Sequence, residues 1–270
     1  MAKNVEKDRF YFHQDFLGSP DGRTVRILSE YYGPLRRIKR NQIFDTIVFF
    51  GSARIKSKKE AERSLANASK NISMSKRKHL EKDIEMSHYY ESARKLSYKL
   101  TSWSKGLKGK KARYIITSGG GGGIMEAANR GAKEADGISM GLTISLPYEV
   151  SGNAWISKDL NLKFHYFFMR KFWFIYLAKA LIVMPGGFGT LDELMELLTL
   201  IQTQKLRKRV PIVLFGNEFW NKVINWDYLV EVGTISAEDL KLFHFSDTVD
   251  DAFQYVTSII EKNQLKGPNF

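Results

Sequence analysis

Cysteine is absent from this 270-residue chain. That excludes a disulfide framework, a thiolate zinc site and a thiol nucleophile together. Long apolar runs are missing too: the longest, Phe172 to Ala178 and Ala180 to Pro185, fall well short of the roughly 18 residues a membrane helix needs. Met1 to Phe12 are charged and aromatic, without the apolar h-region of a secretory leader. The expectation is a soluble, cytoplasmic protein with no membrane partner. There is no internal repeat, long linker or low-complexity tract, and the five histidines (13, 79, 88, 165 and 244) lack metal-ligand spacing. No metal and no cofactor is therefore expected.

Acids are scarce in the first part of the chain. Residues 1–113 hold 27 Lys/Arg against 12 Asp/Glu, while 114–270 hold 15 against 17, so all of the +13 net charge is N-terminal. Such a face attracts polyanions or phosphorylated ligands, or only keeps the protein in solution. It lacks base-stacking aromatics and a groove-binding motif, which argues against nucleic acid as partner.

What the chain does have is 43% hydrophobic residues, 13% of the total aromatic, enough for one large core. Val25, Leu28, Tyr31 and Tyr32 recur at helical spacing within Arg23 to Arg40, giving an N-terminal helical appendage over 1–42. A single Rossmann-like domain is expected over 43–270. It opens on Thr46 to Phe50, a strand buried on both faces. Lys56 to Ser75 is polar and weakly patterned. Apolar steps from Met86 to Trp103 predict a helix ending near Gly106, so 56–105 reads as a helical insertion. Beyond it strands and helices alternate: strand Ala112 to Thr117, helix Gly123 to Ala135, strand Ile138 to Leu146, strand Leu160 to Phe164 and helix Phe167 to Ala178. Then come strand Ala180 to Met184, helix Leu191 to Lys205, strand Pro211 to Phe215, helix Phe219 to Val230, a short strand near Phe243 and helix Val249 to Lys262. This alternation predicts an α/β fold: a doubly wound, mostly parallel sheet with helices on both faces.

Ligands of such sheets sit outside the carboxyl ends of the strands, and four of those ends carry glycine: Gly51-Ser52, Gly119 to Gly123, Pro185-Gly186-Gly187-Phe188-Gly189-Thr190, and Gly216. Backbone N–H groups gathered at a helix N-terminus suit a phosphate. Ile124 occupies the final glycine position of a dinucleotide fingerprint, and no P-loop lysine motif occurs. NAD and a triphosphate are therefore disfavoured, and a monophosphate fits. Behind the third loop, Thr190-Leu-Asp-Glu193 has the form of a capping box, and Glu193 also stands at the mouth of the loop.

Three segments, Ser118-Gly-Gly-Gly-Gly-Gly-Ile-Met-Glu-Ala-Ala-Asn-Arg-Gly-Ala132, Met169-Arg170-Lys171 and Pro185-Gly-Gly-Phe-Gly-Thr-Leu-Asp-Glu193, resemble the Lonely Guy (LOG) family over about residues 43 to 216. Its members, often labelled "possible lysine decarboxylase", are phosphoribohydrolases. They hydrolyse the N-glycosidic bond of nucleoside 5′-monophosphates, AMP or cytokinin ribotides, to free base and ribose 5-phosphate. The resemblance places the catalytic arginine on Arg170, the catalytic glutamate on Glu193, and the phosphate on Gly186, Gly187, Gly189 and Thr190. Gly51, Ser52, Gly120, Gly121, Gly122, Glu126 and Met169 complete the candidate substrate contacts. Glu126 stands where plant-like members carry glycine, which sets this chain nearer the larger bacterial type. No lysine lies in a recognisable pyridoxal phosphate context.

The chemistry suits these residue types. Cleaving C1′–N builds positive charge on the ribose, which a carboxylate stabilises while activating water; a guanidinium fork holds phosphate or ribose oxygens. His165, beside the site, reads as a base contact or a core histidine. A rival reading is a non-catalytic nucleotide or molybdenum-cofactor carrier, which needs the glycines but not the Arg/Glu pair. Finally, the large apolar residues of Phe167 to Tyr176 run round the whole circumference of that helix, so its own sheet cannot bury them all. A homodimer is expected, with this helix and helix Leu191 to Lys205 near the interface; the alternative is that the N-terminal helix or the insertion covers the remainder within one chain.

Overall fold

A computed structural model of the chain describes residues 9–69, 71–107, 114–145, 152–206, 208, 210–263 and 269. At its centre Thr46–Phe50 (β1) is buried at every position. Around it stand Ile115–Ser118 (β2), Ser139–Ile144 (β3), Asn161–Phe164 (β4), Ala178–Val183 (β5), Ile212–Phe215 (β6) and His244–Ser246 (β7). They form one sheet in the order β4-β3-β2-β1-β5-β6-β7, with every pairing parallel. Alternate residues of β1 enter different cores: Val48 and Phe50 face one cluster, Ile47 and Phe49 the other, as a pleat buried on both faces requires. The doubly wound α/β architecture is the one read from the alternating pattern.

After a short helix, Gln14–Gly18 (α1), one layer is built by Arg23–Arg40 (α2), Phe167–Tyr176 (α6), Phe188–Gln202 (α7), Asn217–Val223 (α8) and Trp226–Glu231 (α9). The other carries Lys58–Ala66 (α3), Met74–Gly106 (α4), Ile124–Glu134 (α5) and Val249–Asn263 (α10). The stretch read as unpatterned contains α3, whose start is capped by the Ser57 side chain accepting from Glu60 N. Likewise α4 begins at Met74, capped by Ser73, a dozen residues before its apolar periodicity. Those first residues are charged and mostly exposed, so no apolar stripe announces them. Phe219 to Val230 is two helices, because Ile224 is extended and the Asn225 side chain restarts the chain by capping Tyr228 N. Ala178, read as the end of a helix, opens β5 instead. Of the strand predicted over Ala112 to Thr117, residues 112 and 113 lie outside the described residues, as do 146 and 147 at the end of the next.

Helix α2 lies on α6. The Tyr31 ring is 5.7 Å from those of both Phe172 and Trp173, and Trp173 Nε1 donates to Glu30 O. The Glu30 carboxylate accepts from the His165 and Tyr166 N–H groups. At the amino edge of the sheet Lys179 is fully buried; its Nζ donates to Leu177 O, Ala178 O and Asn269 Oδ1 and lies 3.8 Å from Asp45.

In the second layer α4 and α5 meet at Gly131, where a Cβ would fall 2.1 Å from Arg94 O. Alanine is the better helix former by about 1 kcal/mol, but here the added methyl must push two backbones apart. Gly131→Ala is expected to destabilise the protein by about 1–3 kcal/mol in urea unfolding. An unchanged or higher stability would show that α4 yields without cost.

Candidate active site

The parallel register Phe50↔Val183 brings the carboxyl ends of β1 and β5 side by side, and the loops stay joined beyond it. Met184 N donates to Phe50 O and Ser52 N to Pro185 O. The glycine run after β2 is drawn into the same corner, where Ile124 N donates to Ser52 O. Gly123 has φ +61°, and a Cβ there would sit 2.3 Å from Ser52 O, so a side chain would separate the two loops.

A cavity of about 650 Å³ opens at this corner, lined by Gly51, Ser52, Arg54, Gly119, Met125, Arg170, Phe174, Gly186 to Leu191 and Glu193 among others. Its size is that of a small-molecule site. Helix α7 points its start into it. Gly187, not Thr190, is the N-cap, and Thr190 and Leu191 N–H both turn back to Gly187 O. The capping-box reading of Thr190 and Glu193 therefore gives way: both residues lie inside the helix, and Glu193 is released from a capping duty. With Gly187, Phe188 and Gly189 exposed, the first N–H groups of the helix are presented to the cavity mouth, an arrangement suited to an anion.

Glu193 follows Gly189 by one turn, about 6 Å further along the axis. It is 4% exposed, and its Oε2 has no hydrogen-bond partner among the described residues. Burial raises its pKa to about 7, against the opposing pull first of Lys171 and then of Arg170. Lys171 is held by Asp192 at 2.8 Å and Glu196 at 2.9 Å, which ties α6 to α7 on either side of Glu193. The Arg170 guanidinium lies 5.4 Å and 5.6 Å from the ring centres of Phe174 and Phe167, so aromatic faces set its position.

Gly51, Ser52, Gly186, Gly187, Gly189, Thr190, Arg170 and Glu193 thus share one cavity, whereas Gly120, Gly121, Gly122, Glu126 and Met169 are not on its wall. Gly120 and Gly121 brace the loop instead: their carbonyl oxygens accept from Asn153 Nδ2, which also donates to Asn129 Oδ1. The Glu126 carboxylate accepts from Tyr90 Oη at 2.8 Å, and burial and this bond push the Tyr90 phenol up. Met169 joins the core. His165 is exposed, not a core histidine, and is also off the cavity wall. Residues not singled out in the sequence also line the cavity: Phe50, Arg54, Met125, Phe174, Phe188, Leu191 and Val223. Adjacency to Gly51-Ser52 was a signal for Arg54; nothing local pointed to Val223, on a different helix.

Among the described residues no lysine lines the cavity, Lys171 is taken up by two acids, and Lys179 lies at the opposite edge of the sheet. These residues do not fit a pyridoxal phosphate site. Among the described residues no group of three His, Asp or Glu could hold a metal ion.

The titration of Glu193 has a consequence for stability. Between its ordinary pKa of 4.5 and about 7 the folded chain binds more protons than the unfolded one, so stability falls as pH rises through that window. Glu193→Gln removes the buried charge. At about pH 8 the variant is expected to exceed the wild type by on the order of 1–3 kcal/mol in urea unfolding, the gain fading to nothing near pH 4. A gain independent of pH would place its cause elsewhere.

A family described as "Possible lysine decarboxylase" matches residues 125–256. A rice protein (Oryza sativa subsp. japonica), described as probable cytokinin riboside 5′-monophosphate phosphoribohydrolase LOG4, is 28% identical over 145 residues, 53% of this chain. The match spans 62% of that relative's length. Among solved structures, the protein TM1055 is 20% identical, with 81% of this chain and 99% of that one covered and a TM-score of 0.46. The molybdenum cofactor carrier protein of Chlamydomonas reinhardtii is 17% identical, with 80% and 98% covered and a TM-score of 0.45. The family match, the rice relative and the glycine, Arg-Lys and Pro-Gly-Gly segments point the same way: over about half of its length the chain is similar to LOG-type proteins that carry that description.

Proposed function

We propose that the protein hydrolyses the N-glycosidic bond of purine nucleoside 5′-monophosphates, of the AMP or cytokinin ribotide type, to free base and ribose 5-phosphate. The observation that carries this reading is the buried Glu193 carboxylate, its Oε2 without a hydrogen-bond partner among the described residues, set one turn behind the exposed start of α7 in a single cavity. The phosphate sits at Gly187 to Thr190, and the ribose extends inward until C1′ meets Glu193. As the C1′–N bond breaks, its electron pair leaves with the base, and a water oxygen bonds to C1′. The water's proton passes to Glu193 and from there, through solvent, to the ring nitrogen of the departing base, which restores the carboxylate. Ionised Glu193 also offsets the positive charge that develops on the ribose. Arg170, steadied by Phe167 and Phe174, holds ribose or phosphate oxygens.

The same reading includes a homodimer working in the cytoplasm, a location that cell fractionation checks. Helix α2 covers Trp173, yet Phe167 and Phe168 remain 53% exposed and Phe188 93%, an apolar surface that a second copy would shield. Light scattering on a gel-filtration column is expected to give twice the 31.0 kDa chain mass; a mass of one chain at micromolar concentration refutes the dimer.

For the activity, the purified protein is incubated with a panel of nucleoside 5′-monophosphates without added metal, and free base is read by chromatography. Base release is expected from AMP or a related purine, with kcat lowered about 100-fold or more in Glu193→Gln while nucleotide binding persists. No release across the panel from a folded sample would overturn hydrolysis and leave a nucleotide carrier. Full turnover in Glu193→Gln would remove the carboxylate from the chemistry.

A further inference from the structure

The loop after β1 carries a cationic side chain that neither the fold nor the chemistry above employs. Arg54 is exposed and lines the cavity. Its backbone is fixed, with the Arg54 N–H donating to Ser52 Oγ and Ser52 itself bonded to both Pro185 and Ile124. Its guanidinium has no protein partner among the described residues. Neighbouring strands stand about 4.8 Å apart, and Phe50 pairs with Val183, so the chain leaving β1 rises alongside the chain that reaches Gly186 and Gly187. A side chain as long as arginine spans that separation.

The charges around the cavity point the same way. Among the described residues its wall holds two guanidinium groups, Arg54 and Arg170, and one acid, Glu193. Glu193 lies deep, and Arg170 is stacked between rings. The exposed guanidinium therefore stands with the start of α7 at the mouth, two positive sources converging on one place. A planar fork of donors over helix N–H groups matches the oxygens of a phosphate dianion.

We propose that Arg54 is a substrate-binding residue that closes on the 5′-phosphate from the side opposite α7 and so selects nucleotide over nucleoside. This rests on reading the cavity as a nucleoside monophosphate site, and it adds a specificity residue contributed by the β1 loop. Because the Arg54 guanidinium has no hydrogen-bond or ion-pair partner among the described residues, its substitution is expected to leave the fold in place, which thermal unfolding checks.

The test has two arms. In the first, kcat/KM for base release from AMP and from adenosine is measured for wild type, Arg54→Gln and Arg54→Lys. Arg54→Gln is expected to lower the AMP-to-adenosine preference by about 10- to 100-fold, mainly through the KM for AMP, with Arg54→Lys between the two. In the second, AMP is titrated calorimetrically into Glu193→Gln and Glu193→Gln/Arg54→Gln, which reads binding without turnover. The double variant is expected to bind AMP about tenfold or more weakly, with less weakening by added salt. Arg54→Gln affinity for AMP within about twofold of its parent, or a parallel decline for AMP and adenosine, overturns the proposal. If AMP binds and Arg54→Gln weakens it but no base is released, the hydrolase reading fails while Arg54 keeps its role. If AMP binds to neither protein, Arg54 falls with it.

Discussion

The parallel pairing of β1 with β5 is the constraint on which the site depends. Parallel strands cannot be joined by tight hairpins, so each is followed by a crossover, and every strand-to-helix loop arrives at the same edge. Register does the rest. With Phe50 opposite Val183, the loops holding Ser52 and Pro185 meet by one backbone hydrogen bond, and the start of α7 is delivered beside the β1 loop. A slip of one residue would turn Phe49 and Phe50 to each other's cores and part these loops. The buried, apolar character of β1 therefore does functional work at a distance: it holds two glycine loops and a helix start at one corner.

Against that scaffold the site stores an electrostatic tension. Taking a carboxylate out of water is costly, and Glu193 is almost fully buried, with no hydrogen bond to Oε2 from any described residue. Two cations, Lys171 and Arg170, moderate the cost without removing it. Lys171 is itself neutralised by Asp192 and Glu196, so it restrains Glu193 without quenching it. A carboxyl left near neutrality is suited to exchange a proton with water at physiological pH. An acid devoted to capping its helix would have its acceptor capacity spent on N–H groups.

Much of this was legible in the chain. The bounds of α2 and the buried run of β1 follow from apolar spacing and from β-branched and aromatic residues, and the glycine-dense loops mark the edge of the sheet where the cavity opens. What sequence reading missed has physical causes. The exposed first turns of α4 have no apolar periodicity to find, since charged residues there face water on all sides. The start of α7 was placed at Leu191 because Thr190 looks like a cap, whereas Gly187 takes that position and the helix opens three residues earlier. Glu126 is bonded to the buried Tyr90, 36 residues away, and does not line the cavity; a contact of that range leaves no local trace. Adjacency to Gly51-Ser52 hints at Arg54, but that its loop meets the start of α7 is shown by the fold.

The pH dependence of base release tests the account most directly, because it reads Glu193 in its working environment. For wild type, kcat/KM for AMP is expected to climb about tenfold per pH unit below neutrality and to level off above pH 7, following the carboxyl whose pKa burial raises to about 7. The same profile on Glu193→Gln, at its lower residual rate, removes any limb that belongs to the phosphate of the substrate. An inflection near pH 7 present in wild type and absent from the variant is the expected result. A wild-type rate flat from pH 5 to 9, or an identical limb in both proteins, would contradict a catalytic role for the buried carboxylate.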